Sequence, residues 1–249
     1  MCTLVILRRP DHDWPLILGA NRDEMRDRPS RPPGRYWPDR PDVTAGLDEL
    51  AGGSWLGVND YGVVAAVLNR VGTLGPLQGK RSRGELVLEA LDHADALDAA
   101  AALAELDARS WRPFNLVVAD GRDALWLAHR GGDRIAVAPI PEGVSMLTAR
   151  DLDDRTSPRI AHYHARFAAA APPDPAEDDW ASWQDLLGDT TPQAGFGPEG
   201  AMCFMTVSGF GTLSSSLVAL PAPELGRPPA WRFASGAGQL SGWDVVPLG

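Results

Sequence analysis

The chain of 249 residues holds two cysteines, Cys2 and Cys203, and Cys2 is the first candidate to do chemistry. With Met1 removed, Cys2 would carry a thiol and a free α-amine on one residue. A free thiol titrates near ~8.5 and an α-amine near ~7.7–8.0, so the amine can act as base for its own side chain at neutral pH. This activates a weak nucleophile without a second residue. The plain alternative is a small buried residue opening a strand, since Cys is among the residues most often buried. Two cysteines make no disulfide framework.

Asn21-Arg22-Asp23-Glu24 closes the apolar stretch Leu16–Ala20. A carboxylate where the chain leaves a sheet can hold an ammonium group or orient a substrate. An Asx turn with a solvated Arg–Glu pair fits the same residues. Asn69 ends the apolar stretch Val63–Leu68. Its amide can donate to an oxyanion, or merely terminate a strand. From Met25 to Asp42, Pro29, Pro32, Pro33, Pro38 and Pro41 forbid a helix or a central strand. That segment, with Tyr36 and Trp37, reads as a loop or flap bordering a site. His12, His93, His129, His162 and His164 form no HExxH pattern. There is no CxxC, no P-loop, and no GxGxxG after a strand. No metal site is expected.

These residues need elements to position them. Short apolar runs predict strands over Cys2–Leu7, Leu16–Ala20, Val43–Gly46, Ser54–Val58 and Val63–Leu68. Ser82 with Glu85 three residues later is a capping-box signature and predicts a helix to Leu91. A second helix covers Ala94–Ala108. Phe114–Ala119, Ala124–Ala128 and Arg134–Ala138 read as a meander, and Ser145–Thr148 as a short strand. Ser157-Pro158 opens a helix to Ala170, because proline suits the first helical position. Trp180–Leu187 reads as one more helix. Met202–Ser208 and Leu213–Leu220 read as a closing strand pair, and Trp231–Ala234 as a last strand. Hairpins with helices in two blocks argue against alternating βαβα and for antiparallel sheets covered by helices. No internal repeat or two-domain split shows, so residues 1–249 are taken as one domain.

The net charge of -10 argues against nucleic-acid and anionic-membrane partners. No apolar run reaches the roughly 18 residues of a membrane span. Arg8, Arg9, Pro10 and Asp11 follow the apolar start at once, which is not the order of an export signal. A cytoplasmic location is the expectation.

Several stretches together resemble the NRDE family, also called the transport and Golgi organisation 2 family. They are Met1-Cys2-Thr3, Asn21-Arg22-Asp23-Glu24, Gly52-Gly53-Ser54-Trp55-Leu56-Gly57-Val58-Asn59, Leu68-Asn69-Arg70 and Ser82-Arg83-Gly84-Glu85-Leu86. Leu152-Asp153-Asp154 and Ser157-Pro158 match more weakly. That family in turn is similar to N-terminal-nucleophile hydrolases of the choloylglycine hydrolase type. The resemblance implies an α+β fold, a four-layer αββα sandwich of two antiparallel sheets. It implies a hydrolase of a small amide substrate, with Cys2 as nucleophile, Asp23 at the α-amine and Asn69 at the oxyanion. Asn21, Arg22 and Trp37 are the expected substrate-binding residues. Ala20 stands where the hydrolase pattern has an Arg, and Leu213 where many family members have one. The hydrolase needs no cofactor. The resemblance also implies an alternative, the binding and trafficking of haem or another small ligand. His129, His162, His164, Met202 and Cys203 are of the right type to ligate haem.

Overall fold

A computed structural model describes residues 2–248. The chain divides into two compact units, residues 2–28 with 141–246 and residues 29–140 with 247–248. In chain order the strands are β1 (Thr3–Arg8), β2 (Leu16–Met25), β3 (Ser30–Gly34), β4 (Val43–Asp48), β5 (Leu56–Asn59), β6 (Val64–Asn69), β7 (Phe114–Ala119), β8 (Ala124–His129), β9 (Ile135–Pro139), β10 (Gly143–Leu147), β11 (Phe210–Leu220), β12 (Ala230–Ser235) and β13 (Ser241–Val245). The helices are α1 (Gly84–Leu91), α2 (Ala96–Ala104), α3 (Pro158–Ala169) and α4 (Ala181–Leu187).

The first unit carries an antiparallel sheet of order β10-β1-β2-β11-β12-β13. β1 lies between β10 and β2, as its apolar sequence requires. One face presents Val5, Leu7, Ile17, Met146, Leu217 and Ala219 to Ile160, Tyr163 and Phe167 of α3 and Trp183 and Leu187 of α4. Leu4, Ile6, Leu16 and Leu18 alternate onto the other face and are also buried. Gly19 lies under the Trp183 ring, where a Cβ would come within 3.2 Å of it.

The second unit carries a sheet of order β3-β4-β5-β6-β7-β8-β9, again antiparallel throughout. α1 and α2 cover the face bearing Val43, Ala45, Ala65, Leu116, Val118 and Leu127. α1 begins with the Glu85 carboxylate accepting from the Ser82 N–H, one half of the expected capping box. Asp95 caps α2 by accepting from the Asp98 N–H. Each unit is thus an antiparallel sheet with a helix layer, and the α+β class follows directly.

The structure corrects four sequence expectations. The segment Met25–Asp42 is not all loop: Ser30–Gly34 pairs with β4 as an edge strand. Pro32 and Pro33 are tolerated there because an edge strand need not donate on its open side. Asn21–Glu24 does not leave the sheet but continues β2 to Met25. Met202–Ser208 is no strand, and its one backbone ladder pairing is the isolated Met205–Gly211 bridge. Residues 94–108 give a shorter helix, ending at Ala104. β13, rich in polar and glycine residues, had no apolar signal to announce it.

Candidate active site

Because Asn21–Glu24 is strand, its side chains alternate. Asn21 and Asp23 fall on the face covered by α3 and α4, with Ile17 and Gly19, and Arg22 falls on the opposite face with Leu18 and Ala20. Asn21 is buried, and its amide donates to the carbonyls of Leu187 and Met202, each at 2.9 Å. It ties β2 to the end of α4 and to the segment before β11. Arg22 is buried, in register with Ser214 of β11.

Cys2 precedes β1 and is half-buried. Its Sγ lies 3.3 Å from the Asp23 N–H nitrogen, which donates to it, and 3.5 Å from the Asp23 carbonyl oxygen. Burial pushes the thiol pKa up, and the Asp23 charge adds to the rise. The Asp23 N–H and the Arg22 charge act the other way.

The Asp23 carboxylate is itself held by two residues from distant parts of the chain. Arg159 donates to Oδ2 at 2.8 Å, and Thr212 donates its hydroxyl to Oδ1 at 2.8 Å. The side chains of Asp23 and Arg159 are 0% and 5% exposed. An ionised carboxylate so deeply buried is stable only when paired and hydrogen-bonded. Arg159 also donates to the Thr3 hydroxyl at 2.8 Å and to the Glu199 carbonyl at 3.2 Å. Its guanidinium lies over the Phe204 ring at 4.9 Å. Sequence reasoning missed Arg159 and Thr212, since neither stands in a chemical motif. Arg159 reaches Asp23 from the first turn of α3.

Asn69 is the last residue of β6 in the second unit, half-buried and in register with Phe114. Trp37 packs on the core beneath α1 and α2, and its indole N–H donates to the Gly52 carbonyl at 2.9 Å.

The residues weighed as haem ligands stand on several elements of the two units. His129 is buried in β8, its ring 5.7 Å from that of Phe114. His162 on α3 meets the Tyr163 ring edge-on at 4.7 Å, and His164 lies 3.5 Å from Asp153. Met202 and Cys203 are fully buried. Among the described residues no group of three His, Cys, Asp or Glu could hold a metal ion.

The model of the transport and Golgi organisation 2 family matches residues 1–196. The chain belongs to this family. A Transport and Golgi organization protein 2 homolog of Bos taurus is 34% identical over 143 residues, covering 52% of this chain and 50% of that one. The homolog of Homo sapiens is 34% identical over 140 residues, with the same shares. The chain spans about half the length of the curated relatives it matches. Among solved structures, it is similar to a Caenorhabditis elegans N-acylethanolamine-hydrolyzing acid amidase ortholog, with a TM-score of 0.57 and 14% identity over 89% of this chain and 93% of that one. It is also similar to a penicillin V acylase from Agrobacterium tumefaciens, at 0.55 and 12% over 95% and 83%. A variant of the conjugated bile acid hydrolase from Clostridium perfringens scores 0.56 at 13% over 98% and 92%. At these identities the likeness shows the fold, which is that of N-terminal-nucleophile hydrolases. Among the described residues of this family member, no helix is long and apolar enough to cross a membrane.

Proposed function

We propose that the protein is a cysteine N-terminal-nucleophile hydrolase of a small amide substrate. The observation that carries this reading is the Cys2 sulfur on the Asp23 backbone, beside a carboxylate held by Arg159 and Thr212. The amidase, acylase and hydrolase with which it shares a fold support the reaction class.

The mechanism requires Met1 to be removed, which leaves the α-amine of Cys2 as the base. Burial of the Cys2 sulfur favours the neutral thiol at rest. Attack on the amide carbonyl therefore proceeds with transfer of the thiol proton to the amine. Asp23 orients the resulting ammonium, which then protonates the departing amine as the C–N bond breaks. The thioester left on Cys2 is opened by water, again with the amine as base. The carboxylic acid leaves and the thiol is restored. Asn69 as oxyanion donor rests on the family resemblance alone.

The test is a mass measurement on the protein isolated from its native cells, followed by assay against a panel of N-acyl amides. The reading expects a chain beginning at Cys2, turnover of at least one amide, and no turnover by Cys2→Ala. Retention of Met1 in the cell ends the mechanism.

A further inference from the structure

We infer that Arg159 is a positioning residue for this hydrolysis: by pairing with Asp23 and Thr3, it neutralises the carboxylate beside Cys2 and frees the Cys2 thiol and α-amine to exchange a proton at neutral pH. The inference rests on the hydrolase reading but can fail separately from it.

Three observations lead there. Arg159 is the second residue of α3, in the first turn, where a cation opposes the helix macrodipole. The helix gains nothing from it, so its value lies in its partners. Those partners surround Cys2. Asp23 supplies the backbone groups that touch the sulfur, and Thr3 is the next residue in the chain. Finally, its direction is fixed from three sides, by the Glu199 carbonyl, the Phe204 ring and the paired oxygens of Asp23 and Thr3.

The sign of the effect follows from charge. An unopposed Asp23 carboxylate would disfavour loss of the thiol proton and favour the protonated amine. Both hinder an attack in which the amine must take that proton. A guanidinium 2.8 Å from the carboxylate opposes that field, of which a part still reaches Cys2 and adds to the rise of its thiol. Among the described residues, Arg22 on β2 also acts on the Cys2 thiol from the other face of the sheet, and the Cys203 thiol, from the segment before β11, feels the Asp23 and Arg159 charges. Arg22 acts in the same sense as Arg159. Cys203 is neutral at pH 7, since burial pushes its pKa up.

The experiment follows the pH dependence of Cys2 alkylation by iodoacetamide in protein lacking Met1, with amide turnover measured in parallel. In Arg159→Met the alkylation midpoint should rise by about 1, the shift expected on exposing one near charge. Arg159→Lys keeps the charge and should restore the wild-type midpoint. Asp23→Asn is isosteric, leaves Arg159 unopposed, and should lower the midpoint, so the inference remains testable if Arg159→Met does not fold. A purely structural Arg159 would lower the folded fraction and leave these midpoints where they are. Wild-type turnover with coincident midpoints in wild type and Asp23→Asn overturns the role of Arg159 and spares the hydrolase. Midpoints that move as stated, with no amide turned over by wild type, sink the hydrolase and uphold the charge coupling.

Discussion

Thr212 of β11 reaches Asp23 of β2 because the two strands slip by one residue between Thr212 and Ser214. Beyond the slip, Leu217 and Ala219 share the helix-covered face with Ile17. Unbroken alternation from them would put Thr212 on the opposite face, and the bulge turns it back to Asp23. Its hydroxyl then donates to Asp23 and accepts from the Phe204 N–H. Thr212→Val keeps the shape and removes the donor, and is expected to cost about 1–3 kcal/mol. Urea denaturation measures it, and an unchanged midpoint would remove this role.

The two thiols should differ sharply in reactivity. Cys2 is half-buried, and Cys203 is fully buried with its pKa raised first by that burial. Limited treatment with iodoacetamide, read by peptide mass, should label Cys2 well before Cys203. Equal labelling in the folded protein would contradict the burial of Cys203.

Gly53 and Gly84 meet backbone to backbone. A Cβ on Gly53 would lie 2.5 Å from the Gly84 carbonyl carbon, while the Ser54 N–H donates to the Gly84 carbonyl at 3.1 Å. Two motifs of the sequence, Gly52-Gly53-Ser54 and Ser82-Arg83-Gly84-Glu85, are therefore one contact. Gly53→Ala should cost about 1–3 kcal/mol, the usual range for forcing atoms into a filled site. A thermal melt matching wild type would show that the contact can open without penalty.

Asp189 should make stability depend on acid. Burial works to raise its pKa, but the Thr191 N–H, the Arg166 guanidinium and the Thr191 hydroxyl outweigh it, and the net shift is downward. A depressed carboxylate stabilises the fold above its unfolded pKa of about 3.9, and that contribution is lost as pH falls through the lower folded value. Asp189→Asn should thus be less stable than wild type at pH 7 by about 1 kcal/mol, discounted for the exposure of Arg166. The gap should close below about pH 4. A gap that is constant from pH 7 to pH 3 would exclude the charge as its source.

Much of this frame was legible in the sequence. β1, β7 and β8 are apolar runs whose burial leaves no other reading, and Pro158 marks the start of α3 unaided. The limits of Asn21–Glu24 were not legible, because four polar residues look like a strand end until partners for them are known. Those partners lie 136 and 189 residues away, at Arg159 and Thr212. Arg159 carries no local sign of its role. A basic residue in the first turn of a helix is only an oddity until Asp23 is seen opposite it. Thr212 depends on a one-residue slip that no periodicity announces.

The division of the chain has a consequence for the order of events during synthesis. The unit at residues 29–140 is nearly continuous, so all its strands and helices have been made before β11 is. The unit holding Cys2 is split between the two ends, and β2 must wait for β11. Thr212 follows Asp23 by 189 residues, so at 5–20 residues per second the wait is roughly 10–40 s. Through that interval β2 has an unfilled edge and Asp23 has neither Thr212 nor, at first, Arg159. Truncation before β11 should therefore yield chains that aggregate through the open edge of β2.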